Sequence, residues 1–328
     1  MVYPIFKRAL ATLTPLRSSV KNWLIAPFSV IRAILYHFHT LILFTYDQIF
    51  DIIAPFTVFA ISAALSGPTL NLPSRHPSNT LSNLPLAVFW LWLMVLQFCL
   101  HNQRHPHSIQ EDAINKPWRP LPAKRISAKQ TIRLLEAVDI INAILSYYLG
   151  VEVHMVVYTV LVLAYNDFGG SDFSGFSRNL LNAGGFACFA SCALQVAIGS
   201  ESKVSAEAWQ WTAAIVLALF TTTHAQEFRD EKGDSERGRS TMITTLGQVP
   251  ARWSLIIPVL AWSVGLPMWM GVGWKGSLAP KILAVVVSWM TLKGLKEKDE
   301  RVDRRMYRIW ALWAVSLCPL PLMKALGT

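Results

Sequence analysis

The stretch QEFRDEKGDSERGRST, residues 226–241, lies three residues after an apolar run, residues 213–222, that holds no ionisable side chain. Within it Glu227, Asp230 and Asp234 stand three and four residues apart, a spacing that predicts a helix with all three carboxylates on one face. Like charges on one face repel, so the arrangement calls for a counter-charge. Two readings meet that need. A hard cation ligated by oxygen is one, and Mg²⁺ commonly takes phosphate oxygens as its remaining ligands. A solvated charged loop, paired internally through Arg229, Lys232 and Arg237, is the other.

A second cluster tilts the choice. Residues 101–127 read HNQRHPHSIQEDAINKPWRPLPAKRIS. Glu111 and Asp112 follow Ser108 by three and four positions, Asn102 precedes them, and Lys116, Arg119, Lys124 and Arg125 come after. Carboxylates beside guanidinium and ammonium groups suit a magnesium-bound polyphosphate. Pro117, Pro120 and Pro122 end any helix there and stiffen the segment.

The background composition belongs to a membrane protein. Of 328 residues, 53% are hydrophobic and only 15% charged, against about 25% charged in soluble domains. The net charge of +10 suits an anionic lipid surface or an anionic substrate. Basic residues are scattered over segment ends and form no single run, which argues against nucleic acid. The four cysteines lie in apolar segments and predict no disulfide framework. No feature implies a protein partner.

Nine apolar segments approach the length of a bilayer crossing: 43–67, 84–101, 129–149, 151–166, 178–199, 206–226, 251–272, 278–294 and 308–326. The expected fold is all-α and polytopic, one nine-helix domain over 43–328. Residues 1–42 are basic and aromatic without the order of a signal peptide, and are expected to lie on the membrane as an amphipathic segment. Nine spans place most of the 30 lysines and arginines on the side of the N-terminus, leaving Arg75, Lys203, Lys275, Lys281 and Lys324 for the other. That bias puts the N-terminus and both charged clusters in the cytosol, with the endoplasmic reticulum as the expected membrane.

With two acidic clusters, each at the cytosolic end of an even-numbered span, the chain resembles the UbiA superfamily of intramembrane prenyltransferases. That family has nine helices and two aspartate-rich motifs, after helices 2 and 6. The first motif usually reads N-D-x-x-D-x-x-x-D followed by K-x-R-P-L, and NKPWRPLP at 115–122 resembles that continuation. The second usually reads D-x-x-D-x-x-x-D, and EFRDEKGD at 227–234 is offset from it only by Glu227 in place of the first aspartate. Counted back from the NKP, Asp112 takes the last aspartate of motif one, Ser108 the middle one, and Arg104 the asparagine's place. Asn102 sits two residues early, which requires an insertion or a helix distortion. The serine-containing first motif, NKPWRPLP and the segment YNDFGGSDFSGFSRNLLNAGGF at 165–186 are similar to fungal members of the superfamily that cyclise a linear prenyl diphosphate.

What the resemblance implies is specific. Ser108, Glu111, Asp112, Glu227, Asp230 and Asp234 would hold Mg²⁺, with Asp112, Glu111, Asp230 and Asp234 taking part in ionisation. Arg178, Lys116, Arg119, Arg237, Asn102 and Asn182 would bind diphosphate. The substrate would be geranylgeranyl or farnesyl diphosphate, its tail in a central apolar cavity opening to the cytosol. An aromatic or quinone-precursor prenyltransferase is the alternative activity, and a non-catalytic transporter the alternative class. Elsewhere, His105 and His107 read as a solvated pair with no third zinc ligand. Glu136 and Asp139 are expected to face the bundle, and Asp303 to close over the site. The tryptophans suit an interfacial belt or a cavity wall that stabilises cations.

Overall fold

The computed structural model describes residues 30–74 and 76–328. The part of the expected N-terminal segment at 1–29 lies outside the described residues, as does Arg75. The chain divides into two compact units, Met1–Phe44 and Thr45–Thr328. In the first, residues 30–44 are helical. In the second, the described residues are all helix, turn and loop, without strand.

The second unit begins in helix, passes through a π-helical turn, Ile49–Ile53, and continues as α1 (Ala54–Ser66). There follow α2 (Pro77–Gln103), α3 (Pro106–Asn115), α4 (Ala128–Tyr148), α5 (Glu152–Asn166), the short α6 (Gly170–Phe173) and α7 (Gly175–Ile198). The second half holds α8 (Ala206–Thr222), α9 (Ala225–Glu236), α10 (Met242–Leu246), α11 (Gln248–Met270), α12 (Leu278–Glu297), α13 (Glu300–Leu317) and α14 (Leu320–Ala325). Most sequential neighbours pack side by side, and α1 also packs on α7, α13 and α14. Helix starts are written locally: Ser127, Ser174 and Thr241 cap α4, α7 and α10, each in a reciprocal capping box.

Each of the nine expected segments falls on a helix, but the helices differ in character. Among the described residues, five are long and apolar enough to cross a membrane: Val30–Leu70, Pro77–Gln103, Gly175–Ile198, Gln248–Met270 and Leu278–Glu297. α5, at 15 residues, is apolar but short, rising about 22 Å. The last helix also differs from expectation. It starts at Glu300, capped by the Asp299 side chain, and breaks after Leu317, ahead of Pro319. Its arginine-rich first half is therefore helical, with Val302, Asp303 and Met306 on the buried face.

Two charged residues sit otherwise than expected. The buried stripe of α4 is Thr131, Leu135, Val138, Asn142 and Ser146, so Glu136, one residue past Leu135, faces outward and is exposed. Asp139 is half-buried beside Gln97, and neither lines the cavity described below. Asp303 does not close over a site. It forms a buried two-pronged ion pair with Arg252, at 2.8 and 2.9 Å, which ties α13 to α11. Gly294 of α12 leaves the space for both side chains.

The candidate active-site cavity

The site forms where helix α2 stops. The chain breaks at Arg104–His105 and restarts at Pro106 as α3, which is the distortion the displaced Asn102 required. Asn102 thus projects from the end of α2 and donates to Asn166 at 2.9 Å, while Ser108, Glu111 and Asp112 come from the separate helix α3. Opposite stands α9, whose Glu227, Asp230 and Asp234 are all buried on one face, as the spacing demanded.

α3 packs against α9, and one close approach fixes their spacing. The Asn115 amide donates to the Asp230 carbonyl at 3.1 Å, and a Cβ at Gly233 would collide with that amide. Gly233→Ala is accordingly expected to separate the two charged helices and cost about 1–3 kcal/mol, the usual penalty of overpacking. Thermal unfolding in detergent measures it, and the double variant Asn115→Ala/Gly233→Ala should recover most of the loss.

Every acidic group of the two clusters is matched to a cation. Arg119 forks onto Asp112 at 2.8 and 3.0 Å and reaches Asp47 at 3.4 Å. Lys116 crosses between the clusters to Asp230 at 3.0 Å, and Arg229 holds the same carboxylate at 3.0 Å. Arg178, at the start of α7, reaches Asp234 at 3.3 Å and Glu227 at 3.7 Å. Arg239 joins Asp234 at 2.8 Å, Glu111 at 3.3 Å and Asp172 at 2.9 Å. Arg237 bridges Glu111 and Asp172 at 2.8 and 2.7 Å. The expected internal pairs of a charged loop are therefore mostly replaced by pairs between elements.

These matches set the protonation states. Burial by itself would raise Asp230, but Arg229 and then Lys116 outweigh it and hold the carboxyl far below the usual range. Burial prevails at Asp112, which is raised against the opposing pull of Arg119 and Lys116. Asp172 is less buried, and Arg239 and Arg237 depress it despite desolvation.

Behind this ionic ring lies a cavity of about 1090 Å³, open mouth included. Ser108, Glu111, Asp112, Lys116, Arg119, Arg178, Asp230 and Arg239 rim it, with Asn102 and Asn182 also on its wall. Phe98, Tyr158, Phe186, Phe189 and Leu181 line the remainder. Phe56 packs against Phe186 and Phe189 in tilted ring contacts, centroids 5.8 and 5.7 Å apart, and aromatic contacts of this kind stiffen the floor. Glu227, Asp234 and Arg237 are absent from the lining and stand one layer back. Glu227 is fully buried, its Oε2 accepts from the Met242 amide at 2.7 Å, and its Oε1 has no hydrogen-bond partner.

The site also holds residues that its motifs did not single out. Arg229 and Arg239 line the cavity, as do Asp51, Tyr307 and Trp310. Asp47 and Asp51 stand four apart inside an apolar stretch, a placement that by itself marks function in a membrane helix. Tyr307 carried no such signal. The histidines form a neighbouring cluster. His105 and His107 stack at 5.3 Å, and His101 and Arg104 both contact Asp167, so His105 is tied to a carboxylate and is not simply solvated. The tryptophans divide between roles: Trp90, Trp211 and Trp313 are fully buried, Trp310 lines the cavity, and Trp253, Trp274 and Trp289 are exposed. The four cysteines are buried and free.

Comparison with known proteins agrees with this geometry. The chain is 31% identical over 239 residues to the fumagillin beta-trans-bergamotene synthase of Aspergillus fumigatus, covering 72% of this chain and 80% of that one. It is 28% identical over 267 residues to a polyprenyl transferase of Hericium erinaceus, covering 79% and 85%. A solved structure of a digeranylgeranylglyceryl phosphate synthase in membranes shares the fold, with a TM-score of 0.55 at 14% identity, over 89% of this chain and 99% of that one. Residues 54–315 match the UbiA prenyltransferase family, and the protein is an integral membrane member of that family.

Proposed function

We propose that the chain is a membrane-embedded class I terpene cyclase, which ionises a linear prenyl diphosphate and closes the resulting cation on its own double bonds. The observation that carries this reading is a single cavity with a cationic rim and an aromatic, apolar floor. An amphiphile with an anionic head and a hydrocarbon tail fits both ends, and a C20 chain is proposed over a C15 one. The relative named as a bergamotene synthase supports cyclisation. The relative named as a polyprenyl transferase keeps a second reading open, transfer to an aromatic or quinone-precursor acceptor.

The donor set fits Mg²⁺. All candidate ligands are hard oxygens, and the Oε1 of Glu227 is a buried acceptor with no hydrogen-bond donor, Arg178 standing 3.7 Å from it. Among the described residues no three of His, Cys, Asp or Glu converge as a cage. Mg²⁺ does not require such a cage, since it takes one or two carboxylates and completes its shell with water and substrate phosphate. At the rim Ser108, Glu111, Asp112 and Asp230 are the candidates to hold it, and Glu227 and Asp234, a layer behind, are proposed to support them. Bound there, the ion would neutralise charge on the departing diphosphate.

The chain's own residues account for the rest. Lys116, Arg119, Arg178 and Arg239 converge on the place where the diphosphate charge develops, and preorganised donors of this kind stabilise a leaving anion without reorganisation. Their carboxylate partners hold them in position. The apolar floor excludes water, which would otherwise quench the cation to a linear alcohol. Nine membrane crossings, with the N-terminus and cavity mouth in the cytosol and the protein in the endoplasmic reticulum, complete the proposal and match the lysine and arginine bias. The products belong to secondary metabolism.

Microsomes carrying the chain, given C10, C15 and C20 prenyl diphosphates singly, should release diphosphate and form a cyclic hydrocarbon with no acceptor added. A prenylated adduct formed only after a phenolic acceptor is supplied would instead establish transfer. Excess EDTA is expected to abolish turnover and Mg²⁺ to restore it, and full activity in chelator would refute the metal assignment.

A further inference from the structure

The reaction as proposed accounts for the making of the cation but not for its end, and one carboxylate in the cavity, Asp51, meets the ionic ring only through Arg229 at 3.7 Å. We propose that Asp51, held by Tyr307, is the proton acceptor that ends the reaction. This rests on the reading that the cavity ionises a prenyl diphosphate, and it holds for either fate of the cation.

Asp51 sits in the π turn Ile49–Ile53. Such a turn is rare inside an α-helix and is frequent at functional sites. Here it accompanies Gln48, Asp51 and Ile52, which all line the cavity. The residue also lies within the candidate span Val30–Leu70, where an ionisable group is costly. Its neighbours hold it without saturating it. The Tyr307 hydroxyl donates to it at 2.5 Å. Arg229 stands 3.7 Å away, but its directional bonds go to Asp230 and its plane lies over the Tyr307 ring at 3.9 Å. One turn earlier Asp47 meets Arg119 at the mouth. Phe56, which packs on the aromatic floor, stands about 7.5 Å further along the helix axis. Asp51 therefore lies where the hydrocarbon leaves the ionic ring.

A cation that ends as an olefin must lose a proton. The C–H bond beside the cationic carbon breaks, its electron pair becomes the new double bond, and the proton passes to an Asp51 oxygen. Cation and carboxylate become neutral hydrocarbon and neutral acid, and the proton then leaves to water or diphosphate at the mouth. With an aromatic acceptor the same step removes the ring proton and restores aromaticity. Diphosphate is the competing base, but Lys116, Arg119 and Arg178 engage its oxygens. Tyr307, by donating to Asp51, lowers the carboxylate's tendency to be alkylated by the cation.

The test is a partition, independent of how fast the variant turns over. Microsomal wild-type chain and Asp51→Asn are compared for the fraction of released diphosphate matched by olefin, against that matched by prenyl alcohol. General bases typically contribute 10²–10⁴-fold, so olefin over alcohol is expected to fall about tenfold or more in Asp51→Asn. Tyr307→Phe keeps the ring under Arg229 and should move the same ratio in the same direction, which secures the test should Asp51→Asn not accumulate. If products appear only with a phenolic acceptor, the ratio of adduct to alcohol is read in the same way. Unchanged ratios in a wild-type chain that turns over would refute the assignment alone. A wild-type chain that releases no diphosphate from any prenyl diphosphate would refute the proposed function, and this assignment with it.

Discussion

Asp230→Asn is expected to lower turnover about 10³-fold, equivalent to about 4 kcal/mol of transition-state stabilisation. Asp230 is a carboxylate that both clusters share: Lys116 reaches it from the first, Arg229 and the helix itself belong to the second. Neutralising it releases both cations at once and removes a candidate Mg²⁺ ligand. Breaking a buried pair costs about 3–5 kcal/mol, so the isosteric amide is preferred to alanine, with the amount of folded protein in the membrane measured beside the rate. A pH profile adds a second check. A depressed carboxyl contributes stability above its unfolded-state pKa and loses it only as pH falls through the folded-state value. For Asp230 that value lies far below the usual range, so the Lys116 pair persists at pH 5. Near-normal kinetics in a folded Asp230→Asn chain would show that the cluster is only a charged strut.

Arg178→Met is expected to cut turnover per KM by a comparable ~10³-fold, with most of the loss recovered by no substitution except a cation. Arg178 is buried at the start of α7 and lines the cavity, while its partners Asp234 and Glu227 lie behind it. This layering separates two roles. If Arg178 only neutralises Asp234, the double variant Arg178→Met/Asp234→Asn should regain stability, because replacing both members of a buried pair is often neutral, and should turn over no more slowly than Asp234→Asn alone. If Arg178 engages diphosphate, the double variant regains folded protein but turns over more slowly than Asp234→Asn. Arg178→Lys keeps the charge without the two-pronged geometry and should fall between.

The amino-acid sequence by itself determined the all-α class, the positions of the helices and the faces of both acidic clusters. These depend on local periodicity. Glu227, Asp230 and Asp234 share a buried face because three- and four-residue steps return to the same side of a helix, whatever surrounds it. NKPWRPLP and EFRDEKGD were sufficient to place the chain in its family for the same local reason. Tertiary packing alone decided which cation meets which carboxylate. Lys116 and Asp230 are 114 residues apart and Tyr307 and Asp51 are 256 apart, and no spacing rule connects them. It also decided depth. Glu227, Asp234 and Arg237 lie a layer behind the cavity wall, Asp303 pairs with Arg252 away from it, and Glu136 turns outward by a single residue's rotation past Leu135. In an apolar bundle the cost of an unpaired charge is high, so charges go where the fold brings a partner, and the fold is a property of the whole chain.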